Sequence, residues 1–152
     1  MLSDANLTAI LGPAVSSEHY PVGPEVIAAL EGTEAAYCTA SGMSAIAAVV
    51  MQLCGTGDHV VAANAIYGGT WALLNDFLPA KSGIATSFVD ATLPESVAAA
   101  ITDRTRLIYV ESLSNPTLRV ADIPRLAAIA RDAGIPLVVD NTFSPLLLSP
   151  AR

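Results

Sequence analysis

Four short stretches place polar or glycine-rich residues directly after apolar runs, and these are the residues able to do chemistry. In "TASGMSA", Ser41, Gly42 and Met43 open an apolar run. Free N–H groups at a helix start, backed by the helix dipole, suit a phosphate, and Gly42 lets the backbone approach closely. The same triplet also reads as a plain N-cap with a glycine for packing. In "AIYGGT", Tyr67 offers a flat face and a phenol, able to stack on a ring or move a proton. An ordinary half-buried tyrosine is the other reading. "ESLSNPT" sets Glu111 at the end of an apolar run and Asn115 before Pro116. The Asn115 amide can donate to a ligand oxygen or simply serve an Asn-Pro turn. In "PLVVDNTF", Asp140 follows an apolar approach that implies burial. A buried carboxylate calls for a cation, and no Lys or Arg stands nearby in the sequence. Either a ligand cation meets Asp140, or Asp140 caps the "NTF" turn. A phosphate cradle, an aromatic face, an amide and a carboxylate for a pyridinium together fit pyridoxal 5'-phosphate (PLP), whose protonated ring is an electron sink.

The elements that position these residues alternate. "PEVIAALEG" predicts a short helix, with proline in its first turn and Gly32 as its stop. "AAYCT" predicts a strand. The next helix opens on Ser41 as N-cap, ends at Gly55, and is apolar nearly all round, which predicts a buried helix. "HVVAA", "ATSFVD", "RLIYVES" and "PLVVD" read as strands. Between them, "GGTWALLNDFLPA" reads as a helix stopped near Pro79, and "LPESVAAAI" as a second helix. "DIPRLAAIARDAG" reads as a third, with Asp122 as N-cap and Gly134 as stop. Continuous apolar strands alternating with helices predict an α/β fold of three layers, a mostly parallel sheet covered on both faces. Ligands bind such sheets at the carboxyl ends of the strands, where all four stretches fall. Residues 1–23 have loop composition without a period, so the organised domain is expected over 24–152.

The totals exclude several partners. Seven basic against fourteen acidic residues give a net charge of −7 in 152 residues. That argues against nucleic acid and against an anionic membrane surface. The longest apolar segment, "AIAAVVMQLC", is far shorter than a membrane span. "MLSDANLTAI" lacks a basic start before an apolar stretch, so no signal peptide is expected and the cytosol is the default. Cys38 and Cys54 do not make a disulfide framework and are expected as small buried hydrophobes. His19 and His59 have no ligand spacing, no metal site is expected, and His59 is expected at a surface or a cap.

"ASGMSAI", "YGGT", "ESLSNPTLRVADI" and "VVDNTFSP" resemble the PLP-dependent trans-sulfuration (Cys/Met metabolism) enzymes, over roughly residues 24–152. Within that family "LEGTEAAYCTASGMSAIAAVVMQLC" and "LVVDNTFSPLLLSPAR" look closest to its methionine gamma-lyase branch. The resemblance implies the N-terminal part of a fold-type I large domain and carbon–sulfur lyase chemistry on a sulfur amino acid. It implies that Gly42 and Met43 bind the phosphate, that Tyr67 stacks on the ring and protonates the leaving sulfur, and that Asn115 sits near the ring hydroxyl. Asp140 would pair with the ring nitrogen, while Glu111 and Thr142 line or support the pocket. It implies a homo-oligomeric parent. The sequence departs from the family in four ways. Arg152 precedes the place of the family's Schiff-base Ser-x-x-Lys segment, and the one lysine, Lys81, is expected at the surface. Gly12 and Ala14 stand where the family has the Tyr and Arg of an inter-subunit phosphate clamp, and Gly69 stands where some members have Cys. The C-terminal domain with its carboxylate-binding Arg is not in this sequence. The expectation is a chain truncated before the lysine and inactive alone. Cystathionine gamma-lyase, cystathionine gamma-synthase and homoserine-ester sulfhydrylase share these strand-end residues. A non-catalytic PLP-binding or subunit-pairing chain is the other reading.

Overall fold

The computed structural model describes residues 10–11 and 23–144. Most of the 1–23 segment, including Gly12, Ala14 and His19, and all of 145–152 lie outside the described residues. Among the described residues five strands form one sheet: β1 (Ile10–Leu11), β2 (His59–Ala63), β3 (Ala85–Val89), β4 (Thr105–Glu111) and β5 (Leu137–Asp140). Their order is β1-β5-β4-β2-β3 and every neighbouring pair is parallel. β2 and β5 are buried along their whole length, and β4 everywhere except Arg106. Strands covered on both faces bury both sets of alternate residues, so their sequences read as continuous apolar runs.

The helices are α1 (Pro24–Glu31), α2 (Gly42–Leu53), α3 (Gly68–Ala72), α4 (Leu78–Ser82), α5 (Pro94–Ala100) and α6 (Ile123–Asp132). From β2 the chain steps outward to β3. It then returns past β2 to β4 and continues to β5. Right-handed crossovers therefore put α3 and α4 on one face and α5 and α6 on the other. α5 packs on α6, while α2 contacts α3 and β4. These are the three layers expected. The reversal leaves a crevice between the carboxyl ends of β2 and β4, the place where such sheets take ligands.

Local chemistry sets most boundaries. α1 starts on Pro24 and stops at Gly32, whose φ of 70° is left-handed. Ser41 accepts from the Ser44 N–H at 3.1 Å, and the Ser44 hydroxyl accepts from the Ser41 N–H at 3.1 Å, a reciprocal cap on α2. Asp122 accepts from the Arg125 N–H at 3.2 Å and starts α6.

Five expectations need correction. "AAYCT" is not a strand: residues 35–39 are irregular and Tyr37 is 91% exposed. A strand exists only where a ladder partner is present, and none of the described strands pairs with this segment. α2 is not buried all round. Ile46 and Val50 are buried, but Met51 is exposed, because only one side of the helix has the sheet and α3 to pack against. The helix after Tyr67 does not stop at Pro79. It passes through a π turn, Leu73–Phe77, into α4, with Pro79 in the first turn. Widening to i→i+5 bonding relieves the clash a proline ring makes in an α-helix. The Leu78 N–H bonds to the Leu73 carbonyl, and Pro79 has no N–H to offer Leu74. The Thr86 hydroxyl of β3 donates to the Leu74 carbonyl instead, at 3.1 Å. Cys38 is exposed while Cys54 is buried. Cys38 lies in the unpaired 35–39 stretch, whereas burial pushes the Cys54 thiol up to about 11, with Asp58 adding to the rise.

His59 is the fifth. It is buried, not at a surface or cap. Its Nδ1 lies 2.9 Å from the Thr105 hydroxyl of β4 and its Nε2 lies 2.9 Å from the Ser87 hydroxyl of β3. β2 lies between those two strands, so a central-strand side chain meets hydroxyls from both sides.

Candidate cofactor site

The site forms where β2, β4 and β5 end. Glu111 and Asp140 are register partners on adjacent parallel strands, and both are buried. The turn after β5 folds back so that the Thr142 N–H donates to Asp140 Oδ1 at 3.0 Å and the Thr142 hydroxyl donates to the same oxygen at 2.5 Å. Asp140 does cap the "NTF" turn. Oδ2 accepts from the phenol of Tyr109 at 3.1 Å. A carboxylate has about four acceptor positions, so three are taken and one on Oδ2 is open.

Glu111 organises two turns at once. Oε1 accepts from the Tyr67 N–H at 2.7 Å, and Oε2 accepts from the Asn115 N–H at 2.9 Å. One carboxylate thereby ties the turn after β2 to the turn after β4. Burial raises the Glu111 carboxyl above its ordinary value, the two N–H donors oppose the rise, and the Asp140 charge adds to it. The ion pairs among the described residues are Arg106–Asp58, Arg119–Asp90 and Arg125–Glu95, so none of them neutralises Glu111 or Asp140. Arg119 meets Asp90 at 3.0 Å and fastens the turn after β4 to the end of β3.

Tyr67, Glu111, Asn115, Asp140 and Thr142 line one pocket with Leu113 and Phe143. Five of the residues singled out in the sequence are thus together. Tyr67 is half exposed, with its ring at the mouth. Its ring lies against Gly69, where an added Cβ would sit 2.5 Å from Tyr67 Cε1. The Asn115 side-chain amide has no partner among the described residues, and the Asn115–Pro116 bond is cis. Gly42 and Met43 do not line this pocket. They sit beside it, since Met43 Sδ is 4.0 Å from the Thr70 hydroxyl on the helix that follows Tyr67. The Gly42 and Met43 N–H groups open α2, where no carbonyl within the helix can accept from them. A Cβ added at Gly42 would meet nothing within 4 Å and its φ is not left-handed. Neither packing nor backbone strain in this chain demands glycine there.

The sequence reading missed Tyr109. Tyr109 is fully buried, and burial, then the Asp140 charge, holds its phenol well above the ordinary range. The signal was present. Tyr109 is two residues before Glu111 on the same strand, hence on the same face, and is the one polar group inside an aliphatic run. Among the described residues no cluster of His, Cys, Asp or Glu could hold a metal, and no helix is long and apolar enough to cross a membrane.

The residues present fit PLP. Asp140, with its open acceptor, lines a pocket that has no Lys or Arg among the described residues, as a protonated ring nitrogen requires, and the α2 start offers N–H groups and bare space for a phosphate.

Comparison with known proteins points the same way. The family profile described as Cys/Met metabolism PLP-dependent enzyme matches residues 23–152. The chain is 60% identical over 127 residues to the methionine gamma-lyase of Arabidopsis thaliana, covering 83% of this chain and 29% of that protein. It is 44% identical over 119 residues to the cystathionine gamma-lyase of Bacillus subtilis, covering 78% of this chain and 31% of that one. A crystal structure of a putative O-acetylhomoserine (thiol)-lyase from Campylobacter jejuni, containing N'-pyridoxyl-lysine-5'-monophosphate, superposes with a TM-score of 0.81 at 36% identity. That match covers 84% of this chain and 31% of the other. The chain therefore spans under a third of the length of these relatives. With the profile matched from Gly23 onward and a parallel sheet of the same fold beneath it, the chain belongs to the family of Cys/Met metabolism PLP-dependent enzymes.

Proposed function

We propose that residues 24–152 are the N-terminal part of a PLP-binding large domain, preceded by a separate segment over 1–23. The protein that carries them is a carbon–sulfur lyase of sulfur amino acids, with methionine as the favoured substrate. One observation carries the reading: Asp140 is buried and, among the described residues, keeps one acceptor position open and lines a pocket with no Lys or Arg. The 60% identity to a methionine gamma-lyase supports the choice of substrate. A homo-oligomeric parent follows from the family resemblance. Two free cysteines fit a reducing compartment such as the cytosol.

In this reading each residue of the site has a defined role. The Gly42 and Met43 N–H groups hold the phosphate at the positive end of α2. Tyr67 lays its ring on the pyridine and, standing exposed at the pocket mouth, delivers a proton to the departing sulfur. The Asn115 amide meets the ring hydroxyl. Asp140 accepts from the protonated ring nitrogen, and Thr142 holds Asp140. Glu111 sets the two turns that carry Tyr67 and Asn115. When bound, the cofactor supplies an electron sink for charge developing beside the substrate α-carbon.

A second reading is a sister activity, cystathionine cleavage or sulfhydrylation of a homoserine ester. It is favoured by the similarity to a cystathionine gamma-lyase and by Gly69, which adds no side chain beside Tyr67. The 152-residue chain by itself does not turn over. Its one lysine, Lys81, is exposed in the last turn of α4, on the β3 side of the fold.

The test is a fluorescence titration with PLP. Wild-type chain is expected to bind, and Asp140→Ala to bind roughly tenfold more weakly. The same preparation is given L-methionine, L-cystathionine, or O-acetyl-L-homoserine with sulfide, and assayed for methanethiol, for cysteine, and for homocysteine with acetate, respectively, with ammonia and 2-oxobutyrate measured for the first two. No PLP binding would overturn the cofactor reading, and formation of any of these products would overturn the inactivity of the chain.

A further inference from the structure

Tyr109 is the largest fully buried side chain among the described residues. A phenylalanine would fill the same space without the cost of burying a hydroxyl. That hydroxyl donates to Asp140 Oδ2 at 3.1 Å, across 31 positions of sequence. Tyr109 stands in the middle of β4 and Asp140 at the tip of β5, so this one bond ties the two strands together beside the pocket.

The acceptor positions on Asp140 show what the Tyr109 bond does. Oδ1 is saturated by the N–H and the hydroxyl of Thr142. Oδ2 receives Tyr109 alone, so the remaining lone pair lies on the oxygen that Tyr109 holds. The direction of the Tyr109 bond fixes the direction of that lone pair.

We infer that Tyr109 is a positioning residue that aims the one free lone pair of Asp140 at a cationic ring N–H of the bound ligand. The inference rests on the site's being a PLP site.

The test compares two ligands that need no lysine: pyridoxamine 5'-phosphate and its 1-deaza analogue, in which carbon replaces the ring nitrogen. Each is titrated by fluorescence into wild-type, Tyr109→Phe and Tyr109→Met chains, with far-UV circular dichroism confirming the fold. Tyr109→Phe is expected to weaken pyridoxamine phosphate roughly 3- to 10-fold and the deaza analogue less than about twofold. Tyr109→Met, which likewise lacks the hydroxyl, should discriminate between the ligands in the same sense, and it carries the comparison should Tyr109→Phe not fold. Equal losses for both ligands, or no loss for either, would overturn the inference while leaving the site reading intact. Failure of the wild-type chain to bind pyridoxamine phosphate would overturn both.

Discussion

Glu111 and Asp140 stand side by side at the ends of β4 and β5, two buried carboxyls in register with no Lys or Arg ion pair between them among the described residues. Like charges directly across a ladder destabilise a sheet. Each acid here is held by hydrogen-bond donors instead: backbone N–H groups for Glu111, and Thr142 and Tyr109 for Asp140. The arrangement concentrates negative potential at one pocket, and a cationic ligand relieves it.

Glu111→Gln tests the double clamp. Glutamine has one side-chain oxygen, so one of the two N–H groups now held by Glu111 would face an NH₂ donor. Losing one such bond, with the donor left buried, is expected to cost about 1–3 kcal/mol in urea unfolding. An unchanged midpoint would show that the two turns are set without Glu111.

Gly42→Ala separates folding from binding. The added methyl meets nothing within 4 Å, so stability is expected to stay level or rise by up to about 1 kcal/mol. Affinity for PLP should fall while affinity for pyridoxal, which lacks the phosphate, should not. Equal affinities of wild type and variant for PLP would place the phosphate elsewhere.

His59 makes stability depend on pH. Burial first, and Arg104 second, lower its imidazole below the ordinary 6.5. The unfolded chain therefore takes up a proton at higher pH than the folded one. The His59 contribution is present above about 6.5 and is lost as pH falls through the depressed folded value. Urea midpoints of wild type should drop between neutral and mildly acidic pH. His59→Gln, which cannot titrate, should flatten that part of the profile.

Thr86→Val tests the π turn. Removing the hydroxyl leaves the Leu74 carbonyl without the donor that replaces the missing N–H of Pro79. A loss of about 1–2 kcal/mol is expected by thermal or urea unfolding, and Thr86→Ser should retain most of the stability. Equal stability of wild type and Thr86→Val would show that the carbonyl needs no protein donor.

Much of this protein was legible in short windows of sequence. Ser41 and Asp122 start helices and Gly32 ends one because caps are local chemistry within four residues. The continuous apolar runs at β2, β4 and β5 announced a sheet covered on both faces, and the polar residues after them marked the pocket of Tyr67, Glu111, Asn115, Asp140 and Thr142. Tertiary structure alone decided the rest. "AAYCT" has strand composition, but strand formation depends on a partner elsewhere in the fold. Pro79 reads as a helix stop until Thr86 on another strand supplies the missing donor. His59 and Tyr109 find their partners 28 to 46 positions away. Propensities and caps act over a few residues and are written in local sequence. The satisfaction of a buried polar group depends on which strands become neighbours, and only the closed sheet determines that.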